Sequence, residues 1–137
     1  MSEDTFHLGI KAIIRDKNGK ILLNRKINGK YWDLPGGRIH RQENPNQALE
    51  RELKEEIGVS ILKSMTQFSM VLSNLRLTTQ DGEVGLILSV NLCEIADLEN
   101  IQAKEEGTEI GWFDPKEAAK LLVFKYPREF LEKITAL

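Results

Sequence analysis

One segment constrains this chain more than any other. Asn44–Ile57 carries a full set of helix signals: Asn44 suits the N-cap, Pro45 the first helical position and Gln47 the capping box, and Gly58 supplies the stop. Leu49, Leu53 and Ile57 recur at i, i+4, i+8, an apolar stripe that must lie against a core. Glu50 precedes Lys54 at i, i+4 in the favourable order. Glu52, Glu55 and Glu56 break the pattern. They share an arc of about 100° beside the stripe and repel by roughly 0.2–0.5 kcal/mol per pair. Glu55 and Glu56 also sit in the last turn, where the helix dipole disfavours negative charge. Rules broken in one place point to function. A divalent cation is the physical answer to three clustered carboxylates, because oxygen ligands hold Mg²⁺ while leaving positions for water and phosphate. Against this stands the ordinary reading of a charge run, a solvated acidic face.

The remaining pattern places this helix among strands. Leu8–Arg15 and Ile21–Arg25 read as strands joined by the turn Asp16-Lys17-Asn18-Gly19, together a hairpin. Ile27–Tyr31 reads as a loop, followed by Trp32-Asp33-Leu34-Pro35-Gly36-Gly37, where adjacent glycines mark a sharp turn or a close approach. Strand-like runs extend from Ile61 to Thr79, Asp81-Gly82 makes a turn, and Val84–Ile95 returns as a strand. An acidic loop, Asp97–Gly107, leads to a short strand at Ile110–Phe113. Asp114 as cap and Pro115 at the first position then start a second helix, and a third begins near Pro127. The expected class is α/β (α+β), a mixed sheet packed between helices.

Composition narrows the chemistry. The 137 residues fit one domain, expected to span 1–137. With 19 basic and 21 acidic residues there is no basic excess of the kind that duplex binding uses. A single cysteine, Cys93, excludes an intrachain disulfide, and with only His7 and His40 beside it no closed Cys/His zinc site can be built. Any metal must therefore lean on carboxylates and carbonyls, which favours Mg²⁺, Mn²⁺ or Ca²⁺. The acidic start, Met1 to His7, has no signal-peptide character, and the longest apolar run, near Gly85–Leu88, is too short to cross a bilayer. A cytoplasmic setting is expected, and a reducing one suits a free thiol.

The acidic cluster belongs to a longer pattern. Gly37 is followed after five residues by Glu43, and after seven more by Arg51-Glu52-Leu53-Lys54-Glu55-Glu56-Ile57-Gly58-Val59. This matches the Nudix box, Gly-x5-Glu-x7-Arg-Glu-U-x-Glu-Glu-x-Gly-U with U aliphatic, at every position. A chance match at a given start is on the order of one in 10⁹ from residue frequencies. The chain thus resembles the Nudix hydrolases, and the resemblance implies an α/β/α sandwich with a mixed central sheet. It also implies hydrolysis of a nucleoside diphosphate linked to another group, X, by metal-activated water. Carried over by the motif, Glu52, Glu55 and Glu56 form the metal cluster with Mg²⁺ (or Mn²⁺), Glu52 being a ligand or the base that deprotonates water. Gly36 lends a carbonyl, Arg51 orients the carboxylates and stands at i, i+4 to Glu55, and Glu43 supports them. Metal ions neutralise a diphosphate, lower the pKa of bound water and hold attacking and leaving oxygens in line.

Relatives often draw a further acid from the loop before a strand carrying Trp. Here Glu106 is the choice, with Glu105 and Glu109 as neighbours and an ordinary acidic loop as the bland alternative. Arg38 and Gly37 are assigned to substrate. Arg25, Arg41 and Arg76 are weighed as phosphate ligands or ordinary surface, and Trp32 and Tyr31 as base-stacking or packing side chains. His40 lies beside the site in the loop before the helix, and Cys93 reads as a packed thiol. No P-loop and no Asp-x-Asp-x-Asp-Gly calcium loop is present. Markers of ADP-ribose, diadenosine-polyphosphate, coenzyme A and NADH subgroups are missing, which weakens those choices without excluding them and keeps a nucleoside triphosphate or a nucleotide sugar open. The alternative is an inactive nucleotide-binding module that regulates a partner. Neither a membrane nor a nucleic-acid duplex is an expected partner, and a homodimer is left open.

Overall fold

The computed structural model describes residues 2–29, 31–59 and 61–137. Lys30, in the loop expected at Ile27–Tyr31, lies outside them. Among the described residues seven strands and three helices follow in the order β1 (Phe6–Ile14), β2 (Ile21–Lys26), β3 (Gly36–Arg38), α1 (Pro45–Ile57), β4 (Leu62–Leu72), β5 (Leu77–Thr79), β6 (Gly82–Ile95), β7 (Thr108–Phe113), α2 (Pro115–Leu121) and α3 (Arg128–Thr135). A 3₁₀ turn, Leu98–Asn100, interrupts the acidic loop.

The main sheet runs β3-β1-β6-β4, with β5 also on β6; only β1 and β6 pair in parallel, so the sheet is mixed. From Gly9 to Ile14 strand β1 is buried on both faces, because helices cover both. Its alternation divides the core. Ile10, Ala12 and Ile14 pack with Leu49, Leu53 and Ile57 of α1, whereas Ile13 faces Leu88, Val90, Leu122 and Phe130 beneath α2 and α3. Burying the three stripe residues of α1 contributes about 1.5–3 kcal/mol each. That anchorage fixes the helix, and with it the acidic edge.

The helix signals read from the sequence for α1 are all used. The Asn44 side chain accepts from the Gln47 N–H, the Gln47 side chain reaches back to the Asn44 N–H, and Gly58 closes the helix at φ 74°. The expected hairpin is corrected. The chain does reverse at Asp16, whose carboxylate accepts from the Asn18 and Lys20 N–H groups. After a single bridge, Arg15 to Ile21, the strands part: β1 enters the main sheet and β2 pairs with β7 in a separate two-stranded sheet. A turn sequence fixes reversal, but distant β7 outcompetes β1 for the β2 edge. The run from Ile61 to Thr79 divides into β4 and β5, and the Asp114 side chain makes no cap bond. The paired glycines form β3. A Cβ on Gly36, at φ +139°, would collide with the Ile10 carbonyl, and one on Gly37 with the Glu52 carboxylate. Among the described residues no helix is long and apolar enough to cross a membrane.

Candidate active site

Helix α1 meets β3 edge-on, and this junction holds the box residues. Arg51 is the hub. Its Nε donates to Glu43 Oε2 at 2.6 Å, its terminal nitrogens donate to Glu43 Oε1 at 3.0 Å, Glu52 Oε1 at 2.8 Å and the Arg38 carbonyl at 3.0 Å, and Glu55 Oε2 stands at 3.6 Å. The forked guanidinium suits this role, since it bonds two carboxylates at once in fixed geometry. Glu43 also accepts the His40 N–H at 2.7 Å; bonds from Arg51 and then His40 hold its carboxyl down at about 2. The bonds to Glu43 and then to Glu52 raise Arg51 above its ordinary value, against a loss from burial.

Glu56 is held differently. Its Oε1 accepts the Gly36 N–H at 2.7 Å, and Asn24 Nδ2 stands 3.4 Å from Oε2. Burial pushes its pKa up to about 7, against the pull of the Lys11 ammonium and the Gly36 N–H, with repulsion from Glu52 and Glu105 adding to the rise. Glu52 and Glu56 line one cavity of about 450 Å³, together with Glu105, Lys11, Arg25 and Tyr31. A larger cavity, about 630 Å³, lies around Cys93 and Lys63 and holds none of the box residues. There burial raises the Cys93 thiol to about 12, which leaves it unreactive.

The structure thus brings Gly36, Gly37, Glu43, Arg51, Glu52 and Glu56 together. It does not bring Glu55 into the cavity: that side chain is 57% exposed and leans toward Arg51. The acidic loop contributes Glu105 and not Glu106 to the cavity lining, although both are exposed. Glu109 pairs with Arg25, whose guanidinium lies 4.5 Å over the Trp32 ring, and Trp32 packs edge-on against Phe113. Tyr31 stacks on Phe124 at 4.7 Å at the cavity mouth. Arg38 meets His7 Nδ1, Arg41 is exposed, and Arg76 is taken up by Asp4 and Glu83. Hard carboxylate oxygens are the donors a Mg²⁺-like ion prefers. Among the described residues, however, no three acidic, histidine or cysteine side chains converge tightly enough to form a finished metal cage. The donor type fits a divalent cation, with Glu55 available once it leaves Arg51.

A second, buried network was not foreseen. Lys11, 6% exposed, donates to Asp33 Oδ2 at 3.1 Å and to the Leu34 carbonyl at 3.2 Å, and its Nζ lies 3.5 Å from the Gly36 carbonyl. Lys125 donates to the same Asp33 oxygen at 2.7 Å, and Tyr126 Oη to Oδ1 at 2.6 Å. Burial opposes charge on Asp33, but Lys11 and then Lys125 hold it ionised below the usual range. Burial also disfavours the Lys11 ammonium, yet Asp33 and Glu56 raise its pKa above the ordinary value. The signal was available: a lone lysine within Gly-Ile-Lys-Ala-Ile-Ile of a doubly buried strand demands a buried partner.

A mixed sheet between helix layers, with an acidic helix edge against a Gly-Gly strand, defines the Nudix architecture. The sequence profile of the NUDIX domain matches residues 5–134, and the chain belongs to that family. It is 37% identical over 59 residues to an RNA pyrophosphohydrolase of Pseudomonas paraeruginosa; the match covers 43% of this chain and 37% of that protein. The chain therefore spans well under half the length of this curated relative. Among solved structures, the MutT protein of Methanosarcina mazei matches with a TM-score of 0.69 at 23% identity, over 99% of this chain and 95% of that one. The E. coli ORF135 protein matches with a TM-score of 0.60 at 28% identity, over 98% and 91%.

Proposed function

We propose that the chain, as one Nudix domain spanning 1–137, hydrolyses a phosphoanhydride in a nucleoside diphosphate linked to a second group, X, with Mg²⁺ or Mn²⁺ held by the α1 carboxylates. The observation that carries the proposal is the pairing of Glu52 and Glu56 on one cavity wall, with Glu56 kept near neutrality by burial. Glu52, Glu55 and Glu56 would hold the metal, with the Gly36 carbonyl and the loop acids Glu105 or Glu106 as further oxygen donors. When bound, the ion supplies charge neutralisation of the diphosphate and acidification of a water.

The chain's own residues do the rest. Arg51 fixes Glu52 through Oε1, which leaves Oε2 to take a proton from the attacking water. Lys11 holds a fixed positive charge at the cavity wall, where diphosphate charge gathers. Arg38 and the side-chain-free edge at Gly37 receive the substrate. The expected setting is the cytoplasm. The family and the box speak for the reaction, and the relative named an RNA pyrophosphohydrolase puts RNA on the test panel beside nucleoside triphosphates and nucleotide sugars.

The experiment is phosphate release across that panel with Mg²⁺ and with Mn²⁺, for the wild type and Glu55→Gln. We expect metal-dependent turnover of at least one compound, abolished by the substitution without loss of fold. Turnover retained by Glu55→Gln would refute its place among the metal ligands. A wild type inert on the whole panel would favour the alternative, a nucleotide-binding module that acts on a partner.

A further inference from the structure

The buried network gathers cations. Lys11 and Lys125 both donate to one oxygen of Asp33, and Lys11 also feels the Glu56 and Glu52 charges. The two lysine side chains are only 8% and 12% exposed. Burial and then the neighbouring Lys11 charge push Lys125 below its ordinary pKa, and Asp33 makes good only part of the loss. Among the described residues Lys125 ion-pairs with no carboxylate except the shared Asp33, and a buried cation in that position is stabilised by a further anion.

A place for that anion adjoins both lysines. Lys11, Lys125 and Arg38 border a small cavity of about 140 Å³, floored by Leu77, Leu86 and Leu88. Among the described residues no acidic side chain lines it. It is smaller than the roughly 300–1,000 Å³ of a whole-ligand pocket and suits one group of a larger molecule. Gly37 forms part of its wall and at the same time lies directly against the Glu52 carboxylate. A single substrate can therefore reach both cavities.

We propose that Lys11, Lys125 and Arg38 form an anion subsite beside the carboxylate cavity, and that X carries an acidic group, phosphoryl or carboxylate, that docks there. This rests on the reaction proposed above and narrows its substrate class: compounds whose X is charged are preferred over those whose X is neutral. The lining combines three leucines with three cationic side chains, a setting of low polarity that strengthens a charge-assisted hydrogen bond.

The test separates the subsite from the chemistry. In the metal-free full chain with EDTA, inorganic phosphate and acetate are titrated separately and followed by amide chemical shifts. We expect saturable binding of at least one, with shifts at Gly9, Gly37 and Lys125, weakened at least tenfold by Lys125→Gln and by Arg38→Gln and largely kept by Lys125→Arg. Phosphate binding without acetate binding assigns a phosphoryl group, and the reverse a carboxylate. Arg38 is exposed, so its variant reports even where Lys125→Gln disturbs the fold. Kinetically, the ratio of kcat/KM for charged-X over neutral-X compounds falls at least tenfold in Lys125→Gln. No saturable binding of either probe, or unchanged binding in both Gln variants, overturns the subsite. Anion binding by a chain that turns over nothing leaves the subsite standing and overturns the reaction instead.

Discussion

Glu56 offers the sharpest test of the electrostatics. Its carboxyl rises from an ordinary 4.5 to about 7, chiefly through burial. At 1.36 kcal/mol per pKa unit, the metal-free fold should lose about 3 kcal/mol as this group ionises. The sign follows from proton counting. Between pH 4.5 and 7 the native state holds a proton that the unfolded chain has released, so stability is full below about 4.5 and falls as pH rises through 7. Glu56→Gln removes the titration. Both carboxyl oxygens face donors, the Gly36 N–H and the Asn24 amide, so the new NH₂ group needs the Asn24 amide to turn and accept. That places the gain toward about 2 kcal/mol. Urea unfolding in EDTA at pH 5, 6, 7 and 8 should show the variant equal to or weaker than wild type at pH 5 and more stable at pH 8. Parallel stability curves across this range would refute the buried, strained carboxylate.

Three further outcomes follow from the geometry. Gly37→Ala pushes into the Glu52 carboxylate, a movable side-chain end, and should lower turnover while thermal unfolding changes little; Gly36→Ala meets the Ile10 carbonyl at positive φ and should cost about 3 kcal/mol in urea unfolding. Arg51→Lys keeps the charge but loses the fork that joins Glu43 to Glu52, so kcat should fall roughly 10–100-fold with only a small change in stability. Leu53→Ala, at a fully buried stripe position, should destabilise by about 2–5 kcal/mol in the same unfolding assay.

The acidic edge of α1 turned out to have more than one counterweight. Arg51 bridges Glu52 and leans toward Glu55, while Glu56 relies on a backbone N–H and the Lys11 charge. The repulsion read from the helix is therefore shared between protein cations and the proposed metal, and Glu55 is the carboxylate least committed to the cavity.

What the sequence determined by itself was local. The Asn44–Gln47 box, the Gly58 stop and the stripe through Leu49, Leu53 and Ile57 are contacts between residues a few positions apart, and the spacing from Gly37 to Val59 named the family. Tertiary structure decided the rest. It sent β2 to β7 instead of β1, because strand pairing is settled by which distant edge packs best and not by the turn between neighbours. It set Glu105 rather than Glu106 on the cavity wall, a choice that loop geometry makes one residue at a time. It also carried Lys125 across 92 positions to the oxygen of Asp33 that Lys11 already holds. No periodicity announces such a meeting; only burial, which makes a charge find its partner wherever the chain folds, brings it about.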